Sequence, residues 1–144
     1  MQGLNLVVVY SPECDRVLLC RRRKEPYLGL SNFIGGHIED GEDGLTAAYR
    51  ELFEETSITD KHIALTHLMD FSYPLDDCYI EVYFGILREY VEVSGDENEL
   101  YWSTLDRDFF DMTEFAGEGN MGHILEIVKY NRGLLGIPET HPGL

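Results

Sequence analysis

The segment from Gly36 to Ile58, GHIEDGEDGLTAAYRELFEETSI, constrains this chain more than any other stretch. Its spacing predicts a helix from Asp43 to Thr56. At about 100° per residue, one face of this helix carries an apolar stripe of Leu45, Ala48, Tyr49, Leu52 and Thr56. Three carboxylates lie beside the stripe, at about 180°, 240° and 280° from its first residue, and they belong to Glu54, Glu51 and Glu55. The helix therefore has one buried face and one acidic face.

The acidic face requires compensating positive charge. Glu51 and Glu55 are one turn apart, and like charges at that spacing destabilise a helix by about a few tenths of a kcal/mol. Arg50 precedes Glu54 by four residues and can pair with it, but one cation cannot neutralise three carboxylates. A hard divalent ion, Mg²⁺ or Mn²⁺, takes oxygen ligands and also bridges to phosphate oxygens. The alternative is a solvated acidic face that binds nothing.

The charge balance of the whole chain restricts its partners. Eleven Lys and Arg stand against 27 Asp and Glu, which gives a net charge of −16. Such a surface repels polyanions and argues against binding to DNA or RNA polymers. A small anionic substrate is still compatible with it if metal ions carry the positive charge. We expect the active species to be a monomer or a homodimer.

Length and cysteine usage indicate one domain in a reducing compartment. With 144 residues, 44% of them hydrophobic, the chain can bury one core. We expect a single domain over residues 1–136 and a loose tail over 137–144. Cys14, Cys20 and Cys78 are odd in number and show no CxxC spacing, which favours a cytoplasmic setting. The opening segment resembles a buried strand more than a signal peptide or a membrane span.

Strands outnumber helices in the predicted organisation. A hairpin is expected from residues 4–10 and 17–23, and a long one from 62–74 and 78–87. Segments 90–93 and 99–105 supply further strand material, a short strand precedes the Gly35-Gly36 turn, and a last helix spans 120–132. This order predicts an α+β domain of α/β/α layers around a mixed sheet.

The segment 36–58 resembles the Nudix box, written G-x5-E-x7-R-E-U-x-E-E-x-G-U with U a bulky aliphatic residue. The matching positions are Gly36, Glu42, Arg50, Glu51, Leu52, Glu54, Glu55 and Ile58. Ser57 departs from the pattern, because the family usually has glycine after the helix. Glycine suits a left-handed helix end, and a serine adopts that conformation at a cost of about 1 kcal/mol. Nearly the whole chain fits the order of elements that the Nudix fold requires.

The resemblance implies metal-dependent hydrolysis of a phosphate–phosphate linkage. It assigns metal binding to Glu51, Glu54, Glu55 and the Gly36 carbonyl, and it gives Arg50 the task of orienting the helix carboxylates. Glu42 would support them. Candidates for the general base are Glu54, Glu55 and Glu99, of which Glu99 resembles a downstream glutamate that serves as an extra ligand or base; a plain surface role is the alternative for Glu99.

Asn32 and Asn120 are similar in position to base-reading residues of Nudix enzymes that hydrolyse oxidised purine nucleoside triphosphates. Asn offers a donor and an acceptor to a purine edge. The structural alternatives are a turn residue for Asn32 and a helix N-cap for Asn120. Aromatic side chains are candidates for stacking on the base, among them Phe33 and Tyr79.

The best interpretation is therefore hydrolysis of 8-oxo-dGTP to 8-oxo-dGMP and diphosphate. Hydrolysis of ADP-ribose or another nucleotide sugar is the alternative, because Pro74 lies 16 residues past the box, like a mark described for ADP-ribose pyrophosphatases. A Nudix-fold binding module without catalysis is a third possibility. It is disfavoured because such modules tend to lose box carboxylates, whereas Glu51, Glu54 and Glu55 are all present.

Overall fold

The computed structural model describes residues 1–136. The predicted tail over 137–144 lies outside the described residues. The strands are β1 (Gln2–Tyr10), β2 (Arg16–Arg21), β3 (Ser31–Asn32), β4 (Ile34–His37), β5 (Thr66–Tyr73), β6 (Cys78–Ile86) and β7 (Glu99–Thr104). The helices are α1 (Gly44–Thr56), α2 (Asn120–Tyr130) and α3 (Arg132–Leu135), and a short 3-10 turn, Pro74–Asp76, joins β5 to β6. No helix within residues 1–136 is long and apolar enough to cross a membrane.

Strand β1 organises a mixed sheet in the order β3-β2-β1-β6-β5. It runs parallel to β6 along its whole length and antiparallel to β4 and β2. Residues Leu4 to Val7 pair with β4, whereas Tyr10 pairs with Val17 of β2. Strand β2 therefore diverges from β1, with β3 on one edge and β7 on the other. The short strand β4 occupies the place beside the first half of β1.

Two apolar clusters cover the two faces of the sheet. The α1 face packs Val7, Val9, Leu18, Ala48 and Leu52, together with residues after the helix. The α2 face packs a second set that includes Val8, Leu19, Val82, Phe115, Met121 and Ile124. Because side chains alternate along a strand, neighbouring residues of β1 enter different clusters. The predicted α/β/α layering is confirmed, and Val82 and Tyr83 of β6 likewise enter different clusters.

Helix α1 begins and ends with clear capping contacts. The Asp43 carboxylate accepts hydrogen bonds from the backbone N–H groups of Leu45 and Thr46, which satisfies two donors of the first turn. At the other end Ser57 has a φ of 69°, and its N–H donates to the Phe53 carbonyl. The left-handed conformation expected where the family pattern has glycine is therefore present with serine.

The structure corrects several boundaries and one buried position. Leu45 is 41% exposed, whereas Ala48 is fully buried, so the buried stripe begins about one turn after Leu45. Ala47, which lies outside the predicted stripe, is fully buried as well. Segment 90–93 is not a strand, although Val91 and Val93 pack against the α1-face cluster. Strand β5 starts at Thr66, because residues 62–65 form the approach from α1. The last long helix ends at Tyr130.

Candidate active site

Arg50 connects the carboxylates of the box. Its Nε and Nη2 atoms donate to the two carboxylate oxygens of Glu42 at 2.7 and 2.9 Å, a two-point contact that a guanidinium makes well. Its Nη1 atom contacts Glu51 at 3.0 Å and Glu54 at 3.3 Å, and Nη2 also donates to the His37 carbonyl at 3.0 Å. The hydrogen bond from Arg50 holds the pKa of Glu42 below its usual value. The predicted Arg50–Glu54 pair is present, but Glu42 is the stronger anchor.

Gly36 lies against the Glu51 carboxylate. A Cβ atom on Gly36 would overlap that carboxylate, so glycine alone permits the contact. The side-chain oxygen of Asn5, a residue 2% exposed, accepts from the Gly36 N–H at 3.1 Å and fixes this peptide. Burial raises the pKa of Glu51, and Arg50 opposes that rise. Glu51 is therefore a nearly buried carboxylate held between a backbone and a guanidinium.

Glu55 faces a carboxylate that the sequence patterns did not indicate. Glu97, in the loop before β7, lies beside Glu55, close enough to affect the pKa of its carboxyl group. The Gly35 N–H contacts the other side of Glu55 at 3.4 Å. Burial first, and then the charges of Glu97 and Glu51, raise the pKa of Glu55 to about 8. Glu51 and Glu55 thus lie against the Gly35-Gly36 backbone, with Glu97 beside Glu55.

The approach of Glu97 depends on a glycine. A Cβ atom on Gly95 would overlap the carbonyl oxygen of Glu55, so the loop lies directly on the end of α1. The Ser94 N–H donates to the Thr56 carbonyl at 3.1 Å, and the Ser57 hydroxyl donates to the Ser94 carbonyl at 3.0 Å. A glycine in an acidic turn can signal such a close backbone approach.

Glu99, the downstream glutamate expected from the sequence, occupies a different position. It lies at the start of β7 opposite Arg21 of β2, and its carboxylate contacts the Arg21 guanidinium at 3.4 Å. Both side chains are about half exposed, at 54% and 47%. The Glu99 side chain therefore pairs with a residue of β2. Glu97, two residues earlier, is the glutamate that lies beside Glu55.

The donor set fits a hard divalent cation. Within residues 1–136, no three acidic, imidazole or thiol side chains already form a closed cluster of metal-binding geometry. Arg50 holds Glu51, and burial together with the charges of Glu97 and Glu51 raises the pKa of Glu55. Carboxylate oxygens are the ligands that Mg²⁺ and Mn²⁺ prefer, and a cation would relieve this crowding of negative charge.

A second group of polar side chains closes one end of the α2 face. Asn120 is the first residue of α2, and its side-chain amide donates to the Tyr73 hydroxyl. Tyr27, in the loop between β2 and β3, donates its hydroxyl hydrogen to the Glu118 carboxylate, with both oxygens at 2.8 Å. The N-cap of α2 is Gly119 without a side-chain bond, so the capping role considered for Asn120 is wrong.

Partly exposed apolar side chains lie beside this polar end. Leu6, Phe71 and Ile80 pack at the margin of the α2-face cluster. The Phe71 ring is 6.0 Å from the His123 ring and 6.3 Å from the Tyr73 ring, measured between centroids. The result is an apolar floor with polar groups at one end, which suits a flat heterocycle.

The other residues expected to contact substrate do not join this group. Phe33 is 1% exposed within the core, so it offers no ring face in this conformation. Asn32 turns its side-chain oxygen onto the Phe33 N–H at 2.8 Å. Tyr79 projects from the α1 face, where it lines a cavity of about 380 Å³ with Gly3, Ile38 and Glu42, on the side of the sheet opposite to Asn120. These placements favour Asn120 over the other three residues as a substrate contact.

Comparisons with known proteins agree with this architecture. Residues 3–124 match a family model described as the NUDIX domain. Over 92 residues the chain is 29% identical to 8-oxo-dGTP diphosphatase of Escherichia coli strain K12. This aligned region covers 62% of this chain and 70% of that protein. Over 53 residues it is 42% identical to dihydroneopterin triphosphate diphosphatase of the same organism, covering 37% of this chain and only 34% of the relative. The solved structure of a C. elegans Ap4A hydrolase binary complex superposes with a TM-score of 0.72 at 21% identity, over 94% of this chain and 99% of that chain.

Proposed function

Because this chain belongs to the Nudix family of hydrolases, we propose that it is a Mg²⁺- or Mn²⁺-dependent pyrophosphohydrolase acting on a nucleoside triphosphate. The observation that carries the proposal is the placement of Glu51 and Glu55 against the Gly35-Gly36 backbone, with Glu97 beside Glu55. A structural role does not account for carboxylates packed this closely, because each one raises the cost of ionising the next. A solvated acidic face would leave them apart.

Metal binding is assigned to Glu51, Glu54, Glu55, the Gly36 carbonyl and Glu97. A bound divalent ion would lower the pKa of a water molecule and offset charge on the leaving diphosphate. Glu97 replaces Glu99 in this assignment, since Glu97 contacts Glu55 and Glu99 pairs with Arg21.

The chain's own residues have distinct tasks in this proposal. Arg50 positions Glu51 by holding it to the Glu42 anchor. Glu54 is 57% exposed, and its ion pair with Arg50, at 3.3 Å, is longer than the contacts of Arg50 with Glu42 and Glu51. It is thus the box carboxylate most accessible to water, and we assign it the role of general base, which accepts a proton as the attacking water bonds to phosphorus.

The substrate that fits best is 8-oxo-dGTP, cleaved to 8-oxo-dGMP and diphosphate. Support comes from the relative that is an 8-oxo-dGTP diphosphatase and from Asn120 beside an apolar floor. Pro74, the residue that suggested ADP-ribose, begins the 3-10 turn between β5 and β6, which is an ordinary position for proline. We also propose that the enzyme acts in the cytoplasm, as its unpaired cysteine spacing suggests.

A nucleotide panel tests the proposal. The wild-type protein, Glu54→Gln and the control Glu126→Gln on α2 are incubated with 8-oxo-dGTP, dGTP, dATP and ADP-ribose, with Mg²⁺, with Mn²⁺ and with a chelator. Chromatography then separates monophosphate and diphosphate products. We expect metal-dependent cleavage that favours 8-oxo-dGTP, falls by about two or more orders of magnitude in Glu54→Gln and persists in Glu126→Gln. If the wild-type protein leaves every triphosphate intact, the assignment as a triphosphate pyrophosphohydrolase is refuted. If it hydrolyses ADP-ribose in preference to the triphosphates, the substrate is a nucleotide sugar.

A further inference from the structure

Asn5 is a polar exception in the buried part of β1. Its side chain is 2% exposed, and Val7, Val8 and Val9 beyond it are fully buried. Asparagine is depleted in strands, and burying its amide costs free energy unless both ends of the amide find partners. The presence of Asn5 at this position therefore requires an explanation from its contacts.

Strand pairing places Asn5 beside the double glycine. Asn5 lies opposite Gly36 in the antiparallel pair of β1 and β4. Because alternate residues of a strand share a face, its side chain is on the α1 face with those of Val7 and Val9. The Oδ1 atom accepts from the Gly36 N–H at 3.1 Å, and a Cβ atom on Gly35 would overlap the Asn5 carbonyl oxygen. The side chain and the backbone of Asn5 thus both contact the Gly35-Gly36 segment.

The Gly35-Gly36 segment is the backbone against which two box carboxylates lie. Gly36 borders the Glu51 carboxylate, and the Gly35 N–H contacts Glu55 at 3.4 Å. Glycine has more backbone freedom than any other residue, so two in succession do not fix their own orientation. The peptide group between them is planar, and a hydrogen bond to its N–H therefore orients the whole group. Asn5 supplies that bond from a buried strand.

The nitrogen of the same side chain makes no compensating bond. Nδ2 of Asn5 is buried and has no hydrogen-bond partner among residues 1–136. Exchanging the two ends of the amide would set this nitrogen against the Gly36 N–H, one donor facing another, so the contact with Gly36 defines the orientation of the amide. A buried donor without a partner costs free energy, and an apolar side chain of similar size would avoid that cost. Asn5 is therefore poorly suited to a purely structural role.

We propose that Asn5 is a positioning residue of the metal site, which holds the Gly35-Gly36 peptide in the orientation that the cation requires. The inference rests on the proposed function for the presence of the cation, and it adds a residue of β1 that lies outside the box. Because Asn5 is buried, it acts through the peptide and does not contact substrate. Outer groups of this kind orient the direct ligands and thereby tune metal affinity. This role explains why the strand keeps a buried amide despite its cost to stability.

The test compares metal affinity with stability in the same variants. Electron paramagnetic resonance titration of Mn²⁺ without nucleotide measures the affinity, and urea denaturation with a chelator measures the stability. Asn5→Leu is close to asparagine in size and removes both ends of the amide, and Asn5→Val is a β-branched alternative that suits a strand. Asn5→Asp keeps an acceptor oxygen toward Gly36. The matched control is Ser103→Ala, which removes a polar side chain that is 3% exposed on β7.

We expect Asn5→Leu and Asn5→Val to bind Mn²⁺ about tenfold or more weakly than the wild-type protein. Their urea midpoints should stay within about 0.5 M of the wild-type value, because removal of the unpaired donor offsets the loss of the bond to Gly36. Asn5→Asp should bind Mn²⁺ more tightly than Asn5→Leu, yet unfold at a lower urea concentration at neutral pH, since it buries a carboxylate. Ser103→Ala should keep the wild-type Mn²⁺ affinity whatever its stability.

Wild-type Mn²⁺ affinity in Asn5→Leu and Asn5→Val would overturn the proposal. So would a greater fall in the urea midpoint of both variants, including failure to fold, because Asn5 would then be a structural residue. Equal weakening of Mn²⁺ binding in Asn5→Asp and Asn5→Leu would also overturn it, since the acceptor toward Gly36 would not be the group that matters.

The same titrations separate this inference from the proposed function. A wild-type protein that binds no Mn²⁺ would refute the metal-dependent function together with the role of Asn5. Mn²⁺ binding that depends on Asn5, in a protein that hydrolyses no triphosphate, would refute the proposed reaction alone and support the positioning role.

Discussion

Glu97 of the loop before β7 lies beside Glu55 of α1, close enough for its negative charge to raise the pKa of Glu55. Two neighbouring carboxylates repel each other when both are ionised, so each makes a proton or a cation more favourable at the site. This pair links the box helix to a loop that lies outside the box. Glu97 and Glu99 are only two residues apart, but Glu97 lies beside Glu55 whereas Glu99 pairs with Arg21.

The substitution Glu97→Gln should weaken Mn²⁺ binding by about ten- to a hundredfold and lower the metal-dependent rate, because it removes a carboxylate from the cluster. The matched control is Glu99→Gln, whose half-exposed pair with Arg21 should be worth less than about 1 kcal/mol. Electron paramagnetic resonance titration of Mn²⁺ measures binding independently of turnover. A greater effect of Glu99→Gln than of Glu97→Gln would reverse the assignment.

The metal-free protein should lose stability as the pH rises from about 4.5 to about 8. The pKa of Glu55 is raised from 4.5 to about 8 in the folded state. Over that interval the folded state therefore binds more protons than the unfolded chain, and the free energy of unfolding falls with pH. Thermal unfolding with a chelator measures this slope.

Glu55→Gln should flatten the same slope, and added Mg²⁺ should recover stability at pH 8 because the ion replaces the proton. Glu54→Gln serves as the control for a box carboxylate that is 57% exposed. An unaltered slope in Glu55→Gln would show that the pH response arises elsewhere.

Gly36→Ala should impair metal binding more than folding. The added methyl group would meet the Glu51 carboxylate, which is the far end of a flexible side chain and can swing aside. We expect the rate to fall by about a hundredfold or more, as for a misplaced catalytic group, with a loss in stability of about 1–3 kcal/mol from overpacking. Gly41→Ala is a useful contrast, since Gly41 has open space around it but a φ of 79°: it should cost stability and spare the Mn²⁺ affinity.

Substitutions of Ser57 measure two contributions to stability separately: the cost of the left-handed backbone and the gain from the side-chain hydrogen bond. Ser57→Ala keeps the φ of 69° and loses the bond to the Ser94 carbonyl, so it should destabilise the protein by about 0.5–1.5 kcal/mol. Ser57→Gly also loses the bond but relieves the backbone, and it should be about 1 kcal/mol more stable than Ser57→Ala. Urea denaturation measures both. Equal stabilities for the two variants would mean that the conformation costs nothing here.

Local patterns predicted the geometry of α1 well. Charge spacing placed Glu51, Glu54 and Glu55 on one side of the helix, and the left-handed backbone at Ser57 followed from the glycine that the family pattern has there. These features depend on neighbours within a few residues, so the sequence alone contains their geometry.

Contacts between distant segments could not be predicted in the same way. Glu97 reaches Glu55 because Gly95 allows the loop to lie on α1, and no periodicity reports that approach. Tyr27 and Glu118 meet across 91 positions of sequence. Segment 90–93 has strand-forming residues, yet it packs through Val91 and Val93 without joining the sheet, since tertiary packing overrides β propensity.

The parallel pairing of β1 with β6 also determines when this protein can fold. Gln2 pairs with Cys78 and Tyr10 with Ile86, so the first strand has no partner on that side until the second half of the chain is available. Contacts of such long sequence separation form slowly, because the loop between them must be ordered first. During synthesis, the edge of β1 that will pair with β6, including its Val7-Val8-Val9 run, therefore stays open until β6 has been made, and an open apolar strand edge favours aggregation.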